Sequence, residues 1–504
     1  MLETAELGRT LDKAQYKEAL PALRRTLLDL QFQLRDTDRT IILILEGLDN
    51  ATKGEVANVL NDWLDTRGVE FHAFGPKSDE ELERPRFWRY WRALPGRGRI
   101  GIFHSSWYTG TLVQYALGQI DDDTFDRHMQ RISRFERMLA HDGAVFVKLW
   151  LHRSEKHQKT YLKQLDHEPN ARWMVSKLDH TLHASYHRLV AGAERAMRHT
   201  DHREAPWTAI EAADHRYRNL MAGEHLRAAL AGESLVDVSK VHREHHHTDG
   251  TILDKLDLDQ KLSKKDYRQA IDEKLLTLNK LSWQAYHAGV SLSLVFEGWD
   301  AAGKGGAIRR IMRGIDARVA QVIQIAAPND EERAHHYLWR FWRHVPRAGR
   351  VTIYDRSWYG RVLVERVEGL TPEHRWHEAY AEINDFEEQQ VEHGVVVLKF
   401  WLHIDPETQL RRFNKRLETS YKHYKLTNED WRNRDKWPTY AEAVEEMISR
   451  TSTDIAPWHL IAANDKRYTR IRVLEIVCEA LKARLHDQAH KERHKHKSAL
   501  NGDE

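Results

Sequence analysis

Phe296-Glu-Gly-Trp-Asp-Ala-Ala-Gly-Lys-Gly-Gly306 is the stretch on which the fold turns. It follows Ser291–Phe296, a largely apolar run that reads as a strand buried on both faces. It precedes Lys304–Ile315, where Ala307, Ile308, Ile311, Met312 and Ile315 form one helical stripe. A glycine-rich turn between buried strand and helix is the setting that gives G-x4-G-K its meaning. Gly298, Gly303, Gly305 and Gly306 would let backbone N–H groups converge on phosphate oxygens, with the helix N-terminus adding positive potential. Lys304 would reach the terminal phosphates, and Arg309 follows on the same helix.

Working outward, the surroundings of this loop occur twice, at a constant offset of 251 residues. Leu45-Glu-Gly-Leu-Asp49 matches Phe296-Glu-Gly-Trp-Asp300, and Trp88-Arg-Tyr-Trp-Arg92 matches Trp339-Arg-Phe-Trp-Arg343. Ser106-Trp-Tyr108, Lys148-Leu-Trp-Leu-His152 and Ala205-Pro-Trp207 match Ser357-Trp-Tyr359, Lys399-Phe-Trp-Leu-His403 and Ala456-Pro-Trp458. Asp214, Arg216 and Tyr217 match Asp465, Arg467 and Tyr468. Such self-similarity means two homologous domains. The reading places them at 1–235 and 256–490, with a polar, histidine-rich linker at 236–255 and a charged tail at 491–504. From His486 onward the terminus reads as frayed. His242, His245, His246 and His247 lack structured metal spacing and read as linker.

Each half alternates strands and helices, which argues for an α/β fold with a parallel sheet flanked by helices. In the second half, Val319–Ala326, Val351–Tyr354, Val395–Trp401 and His459–Ala463 read as strands. Asp330–His344 and about 372–393 read as helices, and 405–450 reads as polar, basic and helical. Trp339, Trp342, Trp401 and Trp458 are expected in the core.

Gly305 stands where a P-loop usually places the Ser or Thr that ligates Mg²⁺, so the metal must find other oxygens. Asp300, inside the loop, and Asp355, leaving a strand, are the candidates; neighbouring strand ends on one side of a parallel sheet can converge on one ion. Positive charge concentrates nearby: Arg309, Arg310 and Arg313; Arg340, Arg343, Arg347 and Arg350; Arg356 and Arg361; then Arg411, Arg412, Lys415, Arg416, Lys422 and Lys425. Together they suggest a track for an anionic chain in a protein whose charge otherwise cancels, 78 Lys+Arg against 76 Asp+Glu.

That balance argues against nucleic acid as a partner. No run approaches the ~18 apolar residues of a membrane span, the first residues carry no secretory pattern, and Cys478 is the single cysteine. A cytoplasmic protein in a reducing compartment is expected.

The first half has lost the equipment. Thr52 replaces the second loop glycine, Glu55 puts negative charge at the helix start, and His104 and Ser105 stand where the second half has Asp355 and Arg356. Lys53 and Asp49 alone would not organise Mg²⁺. Residues 1–235 therefore read as a non-catalytic copy that supports assembly or extends the binding surface.

Gly298–Gly306 in its Phe-Glu-Gly-Trp-Asp-Ala-Ala-Gly-Lys-Gly-Gly frame, Tyr354-Asp-Arg-Ser-Trp-Tyr359, and Ala456-Pro-Trp458 with Asp465-Lys-Arg467 together resemble the type 2 polyphosphate kinase family. Fusion of two such domains, the first degenerate, resembles its polyphosphate:AMP phosphotransferase branch. The resemblance implies tandem P-loop, thymidylate-kinase-like domains with a helical lid at 405–450. It implies transfer of the terminal phosphate of inorganic polyphosphate to AMP, with Mg²⁺ or Mn²⁺ as cofactor. Lys304, Arg356 and the metal held by Asp300 and Asp355 would neutralise the transferring group, while Arg412 and Arg416 closed over it as lid cations; Asp300 would hold the metal or align the nucleophile, with base catalysis its lesser role. Within that family Gly305 is no departure; Thr52, Glu55, His104 and Ser105 are. Other pairs on the same fold stay open: polyphosphate with a nucleoside diphosphate, or ATP with a nucleoside monophosphate. So do a non-enzymatic polyphosphate binder and a homo-oligomer.

Overall fold

In the computed structural model, residues 2–169, 175–233, 252–418 and 428–500 are described. The chain forms two compact units, each carrying one five-stranded, fully parallel sheet. In the first, β1 (Thr40–Gly47), β2 (Val69–Ala73), β3 (Ile100–His104), β4 (Ala144–His152) and β5 (Trp207–Glu211) lie in the order β2-β3-β1-β4-β5. In the second, β6 (Leu292–Gly298), β7 (Ala320–Gln324), β8 (Val351–Asp355), β9 (Val396–His403) and β10 (Trp458–Ala462) repeat it as β7-β8-β6-β9-β10. The expected tandem α/β architecture is what folds.

The order follows from chemistry. Leu292, Leu294, Val295 and Phe296 are fully buried, so β6 must sit where helices cover both faces. Parallel neighbours cannot be joined by tight turns, so helices intervene and pack back on the sheet. β6 pairs β8 from Leu292↔Val351 to Phe296↔Asp355 and β9 from Leu292↔Val396 to Gly298↔Leu402. The loop after β6 thus emerges between two strand ends, where open parallel sheets bind ligands.

The same buried peg fastens both sheets to their helices. On β9, Lys399 Nζ donates to Glu387 of helix Glu373–Glu392 at 2.7 Å, to the Thr451 carbonyl at 2.6 Å and to Tyr359 at 2.9 Å. Glu387 also accepts from Trp358 and Tyr359. In the first unit Lys148, Glu136, Thr200, Tyr108 and Trp107 make the identical set.

Two expectations need correction. Asp330–His344 is not one helix; it makes two single turns, Asp330–Arg333 and Trp339–Trp342. Asn329 caps the first turn, and burial of Trp339, Phe341 and Trp342 together dictates the second, so helical periodicity gives way to packing. From His486 to Leu500 the chain is not frayed, because helix Lys466–Leu500 runs through it; 501–504 lie outside the described residues. That segment is rich in His and Lys and has no Gly or Pro before Leu500 to end the helix. Trp339, Trp342, Trp401 and Trp458 are buried as expected. The histidine group at 242–247, most of the 236–255 linker, Lys422 and Lys425 lie outside the described residues. No helix among the described residues is long and apolar enough to cross a membrane, and Cys478 is free and buried.

Candidate active site

The β6 loop is built on backbone conformations that few residues tolerate. Gly298 holds φ +143°, and a Cβ there would run into the backbone of Leu402 on β9. Gly303, at φ +120°, is the N-cap of helix Lys304–Gly314. Ala301 (φ +63°) and Arg356 (φ +64°) also adopt left-handed backbone, and both line the adjoining cleft. Among the described residues, the N–H groups of Gly303, Lys304 and Gly305 find no acceptor in the chain, so the helix start presents unsatisfied donors. Lys304 Nζ donates to the Gly298 carbonyl at 2.6 Å.

The loop is braced from outside. Arg412, on helix Pro406–Leu417, donates to the carbonyls of Ala301, Ala302, Ala463 and Asn464 at 2.7–3.0 Å. Burial, then neighbouring Arg411, pushes its pKa down to about 10. In this structure Arg412 braces the loop, with all four carbonyls claiming its guanidinium. Arg416, one turn on, faces the cleft.

Around the loop opens a cleft of about 870 Å³. Asp300, Gly303, Lys304, Gly305, Gly306, Arg309, Asp355, Arg356, Arg412 and Arg416 all line it; Gly298 sits beneath. Asp300 accepts from Asn433 Nδ2 at 3.0 Å through one carboxylate oxygen, while Arg356 stands 3.6 Å from the other. Asp355 ends β8, in register with Phe296. Among the described residues no group of three or more His, Cys, Asp or Glu gathers as a metal site; Asp300 and Asp355 are the carboxylates at the loop and the β8 end, and Glu429 and Asp430 also line the cleft.

Sequence reading missed Lys466 and Arg470, which extend the cationic wall. Enclosure by protein, then Arg412, Arg470, Arg416 and Lys415, pulls the Lys466 pKa down to about 8, although its amine remains open to the cleft. The motif Asp465-Lys-Arg467 points at this helix start without singling out the lysine. Glu297 was also missed; it is buried, accepts from Ser357 at 2.8 Å, and burial raises its pKa.

The first unit keeps the frame and closes the site. Its helix begins at Asn50, because the Asp49 carboxylate accepts from the Thr52 N–H at 2.7 Å and caps it. Arg153 donates to the other Asp49 oxygen at 3.0 Å and to the Thr52 hydroxyl, and stacks 3.7 Å over Tyr161. Glu55 accepts from Tyr161 at 2.9 Å and Arg218 at 2.6 Å, and Lys53 donates to Ser105 at 3.1 Å. The second half has Ile404, Arg412, Gly306 and Thr469 where the first has Arg153, Tyr161, Glu55 and Arg218. The groups that would face phosphate are engaged with one another.

Comparison with known proteins agrees with this geometry. The polyphosphate kinase 2 (PPK2) family matches twice, over residues 10–237 and 261–489. A Pseudomonas aeruginosa protein named polyphosphate:AMP phosphotransferase is 46% identical over 495 residues, spanning 96% of this chain and 99% of the relative. An Acinetobacter johnsonii protein of the same name is 34% identical over 470 residues, spanning 91% and 95%. A Pseudomonas aeruginosa crystal structure described as a polyphosphate kinase 2 superposes with a TM-score of 0.86 at 44% identity, over 97% of this chain and all of that one. With both halves matched and one cleft intact, this chain belongs to the polyphosphate kinase 2 family.

Proposed function

We propose that this chain is a polyphosphate:AMP phosphotransferase whose second unit moves the terminal phosphoryl group of inorganic polyphosphate to AMP, giving ADP. The observation that carries the reading is the pairing of one open, cation-walled loop site with one closed copy, in a chain that matches two-domain relatives of that name almost end to end.

In this reading the polyphosphate end lies on the N–H groups of Gly303–Gly305 and on the Lys304 amine, with Gly306, whose N–H bonds to the Gly303 carbonyl, lining the cleft beside it, and the chain continues along Arg309, Arg416, Lys466 and Arg470. Polyphosphate carries roughly one charge per residue, so an anionic nucleophile is repelled until that charge is matched. Transfer needs alignment and neutralisation more than covalent help. An oxygen of the AMP phosphate attacks the terminal phosphorus, the bridging P–O bond breaks, and the shortened polyphosphate leaves with the electron pair. A phosphate monoester with second pKa near ~6 is already dianionic at pH 7, so no base need remove a proton. Arg356, held in left-handed backbone at the end of β8, is placed to meet charge growing on the transferred group. Asp300 and Asp355 would hold Mg²⁺ or Mn²⁺, which takes one or two carboxylates beside substrate phosphates and supplies charge neutralisation when bound.

Mixing the protein with Mg²⁺, polyphosphate and AMP tests this by phosphorus NMR. ADP should appear; turnover only with ATP, or only with a nucleoside diphosphate acceptor, would reject it.

A further inference from the structure

Asp49 and Asp300 are the same residue at the same place in the repeat, yet they behave oppositely. Asp49 turns back on its own helix and pairs with Arg153 at 3.0 Å, while Asp300 stays on the cleft wall with Arg356 3.6 Å away. What differs is the layer behind them. Asn433 Nδ2 donates to Asp300 at 3.0 Å, and the Asn433 carbonyl oxygen lies 3.3 Å from the Tyr440 hydroxyl. That hydroxyl also lies 3.4 Å from the Glu368 carboxylate, which Lys436 and Arg432 hold at 3.0 and 3.1 Å. Trp437, between Lys436 and Tyr440 in the chain, stacks on Trp299 beside Asp300 at 3.6 Å. At the corresponding places the first copy has Leu182 for Asn433, Leu189 for Tyr440, Leu117 for Glu368 and Leu48 for Trp299.

We infer that Asn433, Tyr440 and Glu368 form a polar relay that positions the Asp300 carboxylate, so that one oxygen is engaged from behind and the other, 3.6 Å from Arg356 in this structure, is held on the cleft side for a divalent cation. None of the three side chains is among those lining the cleft; they act through Asp300 and are positioning residues. Three leucines cannot donate to a carboxylate, and an aspartate backed by leucine does better to satisfy itself on the nearest free N–H, as Asp49 does. The inference rests on the reading of Asp300 as a metal-facing group, and its test is chosen to stand apart from the identity of donor and acceptor.

Mn²⁺ binding by electron paramagnetic resonance, with tripolyphosphate present, reads the relay directly. Asn433→Leu should weaken Mn²⁺ binding by about 10–100-fold, the usual effect of removing a group behind a metal ligand. Tyr440→Phe should give a smaller loss, and both should keep a melting temperature near that of the parent chain. In turnover, Asn433→Leu should lower kcat and raise the Mg²⁺ needed for half activity, with KM for polyphosphate and AMP nearly unchanged. Adding Asn433→Leu to Asp300→Asn should change Mn²⁺ binding no further. Unaltered Mn²⁺ binding in folded Asn433→Leu, additive losses in the double variant, or no Mn²⁺ binding by the parent chain would each overturn the relay. Failure of AMP as acceptor alone would overturn the proposed function and leave the Mn²⁺ result intact.

Discussion

Two glycines of one loop make a paired prediction, because the structure separates their reasons for being glycine. At Gly303 nothing lies within 4 Å of where an added methyl group would sit, so Gly303→Ala meets only the backbone penalty of φ +120°. Holding a non-glycine residue in such a region costs about 1–3 kcal/mol. For a domain of this size each kcal/mol lowers Tm by about 2–4 °C. At Gly298 the same methyl group would meet the carbonyl oxygen and amide of Leu402, both backbone atoms of the neighbouring strand. Neither can rotate away, so Gly298→Ala must spread β6 from β9 at their paired ends and should cost more, about 3 kcal/mol or above. Activity should reverse the emphasis. Gly303→Ala should stay folded at 25 °C while losing at least about tenfold in kcat/KM, because the N–H fan at Gly303–Gly305 is reset. Calorimetry and ADP formation on the two variants decide it. A Gly298→Ala chain as stable as Gly303→Ala would refute the contact argument, and full activity in Gly303→Ala would refute phosphate recognition by this turn.

Lys304→Ala should abolish transfer while Lys53→Ala retains most of it, since Lys53 is engaged by Ser105; equal losses would mean that both copies react. The Tyr354 hydroxyl is buried without a hydrogen-bond partner among the described residues, and the first copy has Phe103 there, so Tyr354→Phe should stabilise by about 1 kcal/mol in denaturant titration. Lys399→Met leaves Glu387 buried and unpaired and should cost about 3–5 kcal/mol, as should Lys148→Met in the first copy, where activity per folded molecule should survive. Lys466, with its pKa pulled down to about 8, is charged below that pH and progressively neutral above it. Polyphosphate affinity should therefore hold steady below pH 8 and fall as pH rises through it, while Lys466→Arg should move that fall to higher pH. In the free protein the sign is opposite: enclosure by protein, then the crowded cations, disfavour protonated Lys466, so its contribution to folding stability should rise between pH 8 and the unfolded lysine pKa near ~10.4.

The loop, the repeat and the sheet were legible because each is written in local spacing: Gly298, Gly303 and Lys304 by their intervals, the two copies by a single offset, β6 by its unbroken apolar run. Asp355 was readable as a residue leaving a strand. Arg412 was readable as positive but not as a strut, because its partners are carbonyls, which every residue owns. The relay of Asn433, Tyr440 and Glu368 has no motif, being three ordinary side chains joined only by folding. A signal did exist in aligning the copies, where three polar residues face three leucines. Asp330–His344 misled because its Trp spacing suits a helix, whereas burial of three aromatic side chains in one turn overrides periodicity.

The Lys–Glu–Tyr–Trp peg is identical in both sheets, although among the described residues the two loops differ, the second lining a cleft and the first engaged in its own hydrogen bonds and ion pairs. Durability and reactivity are thereby assigned to separate sets of atoms: one clamps strand to helix away from solvent, the other faces a ligand and is free to drift. A duplicate built this way can lose its chemistry without coming apart, and in the first copy ion pairs that need no substrate hold the loop side chains.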